Sequence, residues 1–216
     1  MPRPPALALA LMPLALAGCG DGPRSGEPAA TDPCRGVGPV TVASDGTGDV
    51  SANRAVPKPP PPPAGIDLVQ VQVARSATKL CAVFESEAPP PKTGGFRVGL
   101  RERGKGDSGT LVGVNAFRRE GEWTVELGYP GADERADRGI VDADVEVRGN
   151  RVSLVMDTRT LPEATPPASG SEWEASTLGV GDSPNLQYVD CAPESTQHIT
   201  YPGGELVSFG NGRGSC

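Results

Sequence analysis

From Asp67 onward the apolar residues recur at every second position, and that period of two leaves few folds open. Val69, Val71 and Val73 alternate with Leu68, Gln70 and Gln72. Leu80, Ala82 and Phe84 alternate with Cys81, Val83 and Glu85, and Phe96, Val98 and Leu100 with Arg97, Gly99 and Arg101. Val112, Val114 and Ala116 follow, then Trp123, Val125 and Leu127. Val141, Ala143, Val145 and Val147 run into the turn-like Arg148-Gly149-Asn150-Arg151, after which Val152, Leu154 and Met156 return. Trp173, Ala175 and Thr177 make one more such segment. Successive side chains of a strand point to opposite faces, so each segment buries one face and wets the other. About eight or more short strands separated by turn signals, with no amphipathic helical period, predict an all-β chain folded as an antiparallel β-sandwich.

The prolines mark where this pattern stops. Of 24 prolines, Pro130 alone falls between Lys92 and Leu161, whereas Pro57 and Pro59 to Pro63 form a run. That run predicts polyproline II, a stiff spacer of about 3.1 Å per residue. Before it, Pro39-Val40-Thr41-Val42 reads as a short edge strand, and Asp45-Gly46-Thr47-Gly48-Asp49 as a turn. The chain therefore divides into residues 1–18, an export signal; 19–33, a flexible tether; 34–66, an edge strand with the proline-rich segment; 67–193, the sandwich; and 194–216, a C-terminal hairpin extension. The net charge of −7 argues against a nucleic-acid partner.

Arg3 precedes Ala6 to Ala17, an apolar run of twelve residues that is too short to span a bilayer. It ends in Leu16-Ala17-Gly18-Cys19, which resembles the lipobox of bacterial lipoproteins. The resemblance implies cleavage before Cys19 and acyl chains, palmitate among them, on that residue. Two or three chains on one residue anchor stably where a single chain binds marginally. The expected location is the extracytoplasmic face of the cell envelope, lipid-anchored, with inner and outer membrane both open.

Four cysteines remain beyond Cys19: Cys34, Cys81, Cys191 and Cys216. In an exported chain an even count predicts two disulfides, with three connectivities to choose from. The segments His198-Ile199-Thr200-Tyr201 and Leu206-Val207-Ser208-Phe209 flank a hairpin signal. A Gly203-Gly204 turn sets Cys191 opposite Cys216, leaving Cys34 for Cys81; a Pro202-Gly203 turn moves the first pair out of register.

Several segments resemble the DOMON-like and carbohydrate-binding-module-9-like β-sandwiches of secreted bacterial proteins. They are Asp67-Leu68-Val69-Gln70-Val71-Gln72-Val73, Thr78 to Phe84, Gly149 to Leu154, Leu161-Pro162, Trp173 to Thr177 and Asp190-Cys191-Ala192-Pro193. The likeness spans residues 65 to 193 and implies a binding module rather than an enzyme, holding a sugar or haem.

Chemistry-bearing residues are few. Gly106-Asp107-Ser108-Gly109 is similar to the nucleophile region of trypsin-like proteases, but the one histidine, His198, follows Ser108, and that family places its base before the serine. Met156 and His198 are ligand types for haem, yet Met156 is in phase with the core residues Val152 and Leu154. No cofactor and no metal are expected. Asp45 and Asp49, and the second group Asp133, Glu134, Asp137, Asp142 and Asp144, have the oxygen ligands calcium prefers, but without EF-hand spacing they read as solvated loops. Arg97, Arg101, Arg103 and Lys105 read as a solvated stripe. Trp123 and Trp173 are the candidate ligand-binding residues, although their strand phase also suits the core. The expectation is a membrane-anchored, non-enzymatic sandwich that binds a glycan or another envelope ligand. The alternative is an assembly protein that meets a second envelope protein.

Overall fold

The structure is a computed structural model, and it describes residues 32–52, 58–103, 111–128, 139–163, 165–167, 169, 171–180 and 187–192. Eleven strands lie among them: β1 (Val40–Ser44), β2 (Ser51–Ala52), β3 (Leu68–Arg75), β4 (Lys79–Ser86), β5 (Gly94–Glu102), β6 (Leu111–Arg119), β7 (Glu122–Gly128), β8 (Ala143–Arg148), β9 (Arg151–Asp157), β10 (Ser171–Val180) and β11 (Gln187–Ala192). They form a five-stranded sheet in the order β1-β3-β4-β9-β8 and a six-stranded sheet in the order β2-β11-β10-β5-β6-β7. Every pairing is antiparallel. The chain is an all-β sandwich, and β1 is the edge strand that Val40-Thr41-Val42 predicts.

The alternating residues meet between the sheets. Leu80, Ala82 and Phe84 of β4 and Val152, Leu154 and Met156 of β9 face Phe96, Val98 and Leu100 of β5 and Val114 and Ala116 of β6 in one core. The Phe84 and Phe96 rings join the layers with centroids 5.3 Å apart. Each buried valine, leucine or phenylalanine among them contributes about 1.5–3 kcal/mol of transfer free energy. One phase differs from the sequence pattern. The β3–β4 register shifts between Leu68 and Gln70, so the buried residues are Leu68, Val71 and Val73, with Val69 only half-buried. A bulge adds one residue to one strand and moves its phase.

A second difference lies on the outer side of the five-stranded sheet. The alternation predicts a wet face there, but Ala74, Cys81 and Val83 are buried beneath Cys34 and Val37. Cys34 and Cys81 form a disulfide with Cα atoms 5.3 Å apart, and both are fully buried. Cys191 is also disulfide-bonded. Cys216, the partner that the hairpin register suggests, lies outside the described residues, as do the residues of the predicted C-terminal hairpin.

The two sheets are joined early in the sequence. β1 belongs to the five-stranded sheet and β2 to the six-stranded one, so the Asp45–Asp49 turn crosses from one layer to the other. Ahead of β3, a one-turn 3-10 helix at Ala64–Ile66 is clamped onto the six-stranded sheet. The Thr177 hydroxyl donates to the Ile66 carbonyl at 2.6 Å. Gly179 leaves the space the Ile66 side chain fills, since a Cβ there would stand 2.6 Å from Ile66 Cδ1. The Tyr188 hydroxyl donates to the Pro60 carbonyl at 2.8 Å, which lays this part of the proline run along β11.

Candidate functional site

The clamp on Ile66 fixes the residue that follows it, and Asp67 is the first of several carboxylates at this end of the sandwich. Asp67 is 4% exposed. The Gly48 amide donates to its Oδ2 at 2.7 Å, which seats the carboxylate against the Asp45–Asp49 turn. Gly48 has φ +85°, a conformation that L side chains rarely adopt, so a glycine is needed to aim that amide. The Asp45 amide donates to the Val69 carbonyl at 3.0 Å and fixes the start of the turn on β3.

Asp190 arrives from the other layer. It shares a face of β11 with Tyr188 and Ala192, both buried, and is itself 3% exposed. The Leu68 amide donates to Asp190 Oδ2 at 2.5 Å, and the Cys191 amide donates to Oδ1 at 2.9 Å. Burial pushes the Asp190 carboxyl up to about 6, against the pull of those two amides; the charges of Asp49 and Asp67 add to the rise. Burial also raises the Asp67 carboxyl, opposed by the Gly48 amide and reinforced by Glu87 and Asp49. One carboxylate oxygen each from Asp45, Asp49 and Asp190 lies within 4.8 Å of the others. The arrangement gathers negative charge in low-dielectric surroundings, where charged carboxylates are disfavoured unless paired or bound to a cation.

The sequence pointed to Asp45 and Asp49 as a solvated acidic loop. The structure brings them to Asp190, with Asp67 bonded to Gly48 of the same turn, and Asp45 is half-buried. Asp67 and Asp190 escape a reading by spacing because they come from strands distant in sequence. A signal for Asp190 exists nonetheless: in Tyr188-Val189-Asp190-Cys191-Ala192 the aspartate takes an inward-facing position of a strand. Asp142 and Asp144 of the second acidic group are exposed, and Asp133, Glu134 and Asp137 lie outside the described residues.

The tryptophans lie apart from this cluster. Both are half-buried and packed against the core. The Trp123 ring meets Phe96 at 6.1 Å between centroids, and the Arg118 guanidinium carbon stands 5.6 Å from the ring centre. Trp173 Nε1 donates to Thr41 Oγ1 at 2.6 Å, tying β10 to the edge strand β1. Met156 is core, as its phase predicted. Ser108 and His198 lie outside the described residues.

The arginine stripe requires a correction. Arg97 and Arg101, expected on a solvated face, are 6% and 8% exposed. Glu174 of β10 joins them, at 2.7 Å from Arg101 Nη2 and 3.8 Å from Arg97 Nη2. Gly113 of β6 accommodates the Arg97 side chain, because a Cβ there would stand 3.1 Å from Arg97 Nε. Burial is sustained because a carboxylate across the sheet pairs with both guanidinium groups. Arg103 is exposed and donates to the Ser171 carbonyl at 3.3 Å; Lys105 lies outside the described residues. Comparison with known protein families, curated proteins and solved structures yields no match.

Proposed function

We propose that this chain is a lipid-anchored protein of the cell envelope whose β-sandwich binds a ligand outside the cytoplasmic membrane, a glycan or a similar envelope component, without catalysing a reaction. The observation that carries the reading is the tetrapeptide Leu16-Ala17-Gly18-Cys19 at the end of an apolar run, ahead of a domain whose Cys34 and Cys81 are oxidised. Disulfides persist in oxidising compartments, which agrees with export. The non-enzymatic part rests on the sequence, whose one histidine follows Ser108. Trp123 and Trp173, each with part of its ring at the surface, are the proposed ligand contacts.

Cys19→Ser tests the anchor. The variant should lose palmitate labelling and leave the detergent phase; a variant that still partitions with detergent overturns the lipoprotein reading. A glycan array probed with the full chain tests the ligand. A second reading, assembly with another envelope protein, is favoured by β1, an edge strand that exposes Val40 at 44% and Val42 at 54%. Exposed edges of this kind pair readily with further strands. Silence on the array, with β1 protected from hydrogen exchange only in the presence of an envelope protein, would favour it.

A further inference from the structure

The acidic end of the sandwich carries two independent observations that point to the same ligand. The first is spacing. Asp45, Asp49 and Asp190 offer oxygens within 4.8 Å of one another. Calcium holds oxygens at about 2.3–2.6 Å, so oxygens on opposite sides of one ion lie about 4.6–5.2 Å apart. The second is an orphaned atom. Asp67 uses Oδ2 for the Gly48 amide, while its Oδ1 is buried and has no hydrogen-bond partner. Buried polar atoms are nearly always satisfied, and a cation beside the turn would satisfy this carboxylate oxygen. Among the described residues, no lysine or arginine pairs with Asp49, Asp67 or Asp190.

We propose that Asp45, Asp49 and Asp190 form a calcium site, with the buried Asp67 carboxylate seated against the same turn, and that the ion pins the β1–β2 crossover to β11. All three side chains offer oxygen, which selects hard cations over zinc or copper. Calcium suits ligands from a turn and a separate strand better than magnesium does. It accepts six to eight oxygens in flexible geometry, whereas magnesium demands near-ideal octahedral order and keeps its waters. The ion takes one pair of ligands, Asp45 and Asp49, from the crossover turn. It takes Asp190 from β11 in the six-stranded sheet, and its charge offsets that of the buried Asp67 carboxylate, which the Gly48 amide holds against the same turn. The site stands independently of the anchoring and ligand proposed above.

The test uses the full chain purified in detergent, stripped with EDTA and titrated with calcium chloride in a calorimeter. One ion per chain should bind with a dissociation constant of about 10⁻⁶–10⁻³ M, and calcium should raise the melting temperature. Asp49 is exposed, so Asp49→Asn should keep the circular dichroism spectrum of the stripped protein and bind calcium at least about tenfold more weakly. Asp190→Asn, as a second variant, gives up one of the two acceptors that take the Leu68 and Cys191 amides, so it is read by difference: its melting temperature should be the same in EDTA and in calcium. Absence of saturable calcium heat, wild-type affinity in both variants, or equally tight binding of magnesium would each overturn the proposal.

Discussion

The segment that leads into the sandwich is tied down twice, by opposite chemistry. At Cys34 it is held by a covalent bond in an apolar setting, with Val37, Ala74 and Val83 closing over the sulfurs. At Asp45 to Asp49 it is held where the carboxylates of the turn meet Asp190 of β11. The first tie is complete within the protein and insensitive to pH. The second is built from like charges, and its strength depends on what neutralises them. Two fastenings on one short segment thus respond to different variables: redox conditions for one, protons and cations for the other.

Removing the covalent tie should have the largest effect. The Cys34–Cys81 bond closes a loop with a sequence separation of 47. By loop-closure entropy, replacing both cysteines with alanine should lower stability by about 4 kcal/mol, read from urea unfolding. A loss under about 1 kcal/mol would mean that the denatured chain already holds the segment close.

The acidic tie should give the next largest effect, as a pH dependence of the calcium-free protein. Asp190 is pushed up to about 6 by burial first, then by Asp49 and Asp67, against the amides of Leu68 and Cys191; Asp45 is the further carboxylate beside it. Its folded value lies above the unfolded one, so the folded state holds the extra proton between the two. The contribution is complete below about pH 4 and is lost as pH rises through about 6. In EDTA, urea unfolding should therefore show stability falling by up to about 3 kcal/mol from pH 4 to pH 7. Stability that rises across that window would show that Asp190 is better solvated when charged than its burial implies.

A smaller effect isolates the turn itself. Gly48→Ala forces a Cβ onto a backbone with φ +85°, with open space around it, so the cost is conformational rather than steric. It should destabilise by about 1–2 kcal/mol in urea unfolding. An unchanged midpoint would mean that the turn relaxes without losing the Gly48–Asp67 hydrogen bond.

Why the covalent tie was legible in the sequence and the acidic one was not follows from the same contrast. Cysteines are rare, and an even number beyond Cys19 predicts pairing, so Cys34 with Cys81 was within reach of counting and hairpin register. The sheets were legible too, because the alternating apolar residues of β4, β5, β6 and β9 are the ones that meet between the layers. Asp67, just ahead of β3, and Asp190 of β11 sit 123 positions apart in the numbering and belong to different layers, which only the packing of one sheet on the other brings together. β2 and β11 carry no long alternation: β2 is two residues, and β11 buries Gln187 and Asp190 alongside its apolar residues. The buried Arg97 and Arg101 escaped for a related reason, since Glu174, the carboxylate that makes their burial tolerable, comes from a distant strand.

The position of the disulfide has a mechanical consequence. Cys81 lies on β4, the middle strand of the five-stranded sheet, with β3 and β1 on one side and β9 and β8 on the other. Tension applied to the chain at Asp32 reaches Cys34 two residues later and passes through the sulfurs into that central strand. The backbone from Arg35 to Leu80, including β1 and β3, is shunted out of the load path. A sheet pulled by its edge unzips one hydrogen bond at a time, whereas one pulled through its middle must shear two flanking strands together. A load entering at Asp32 would therefore be borne by the middle of the sheet, leaving the exposed edge at β1 unstrained.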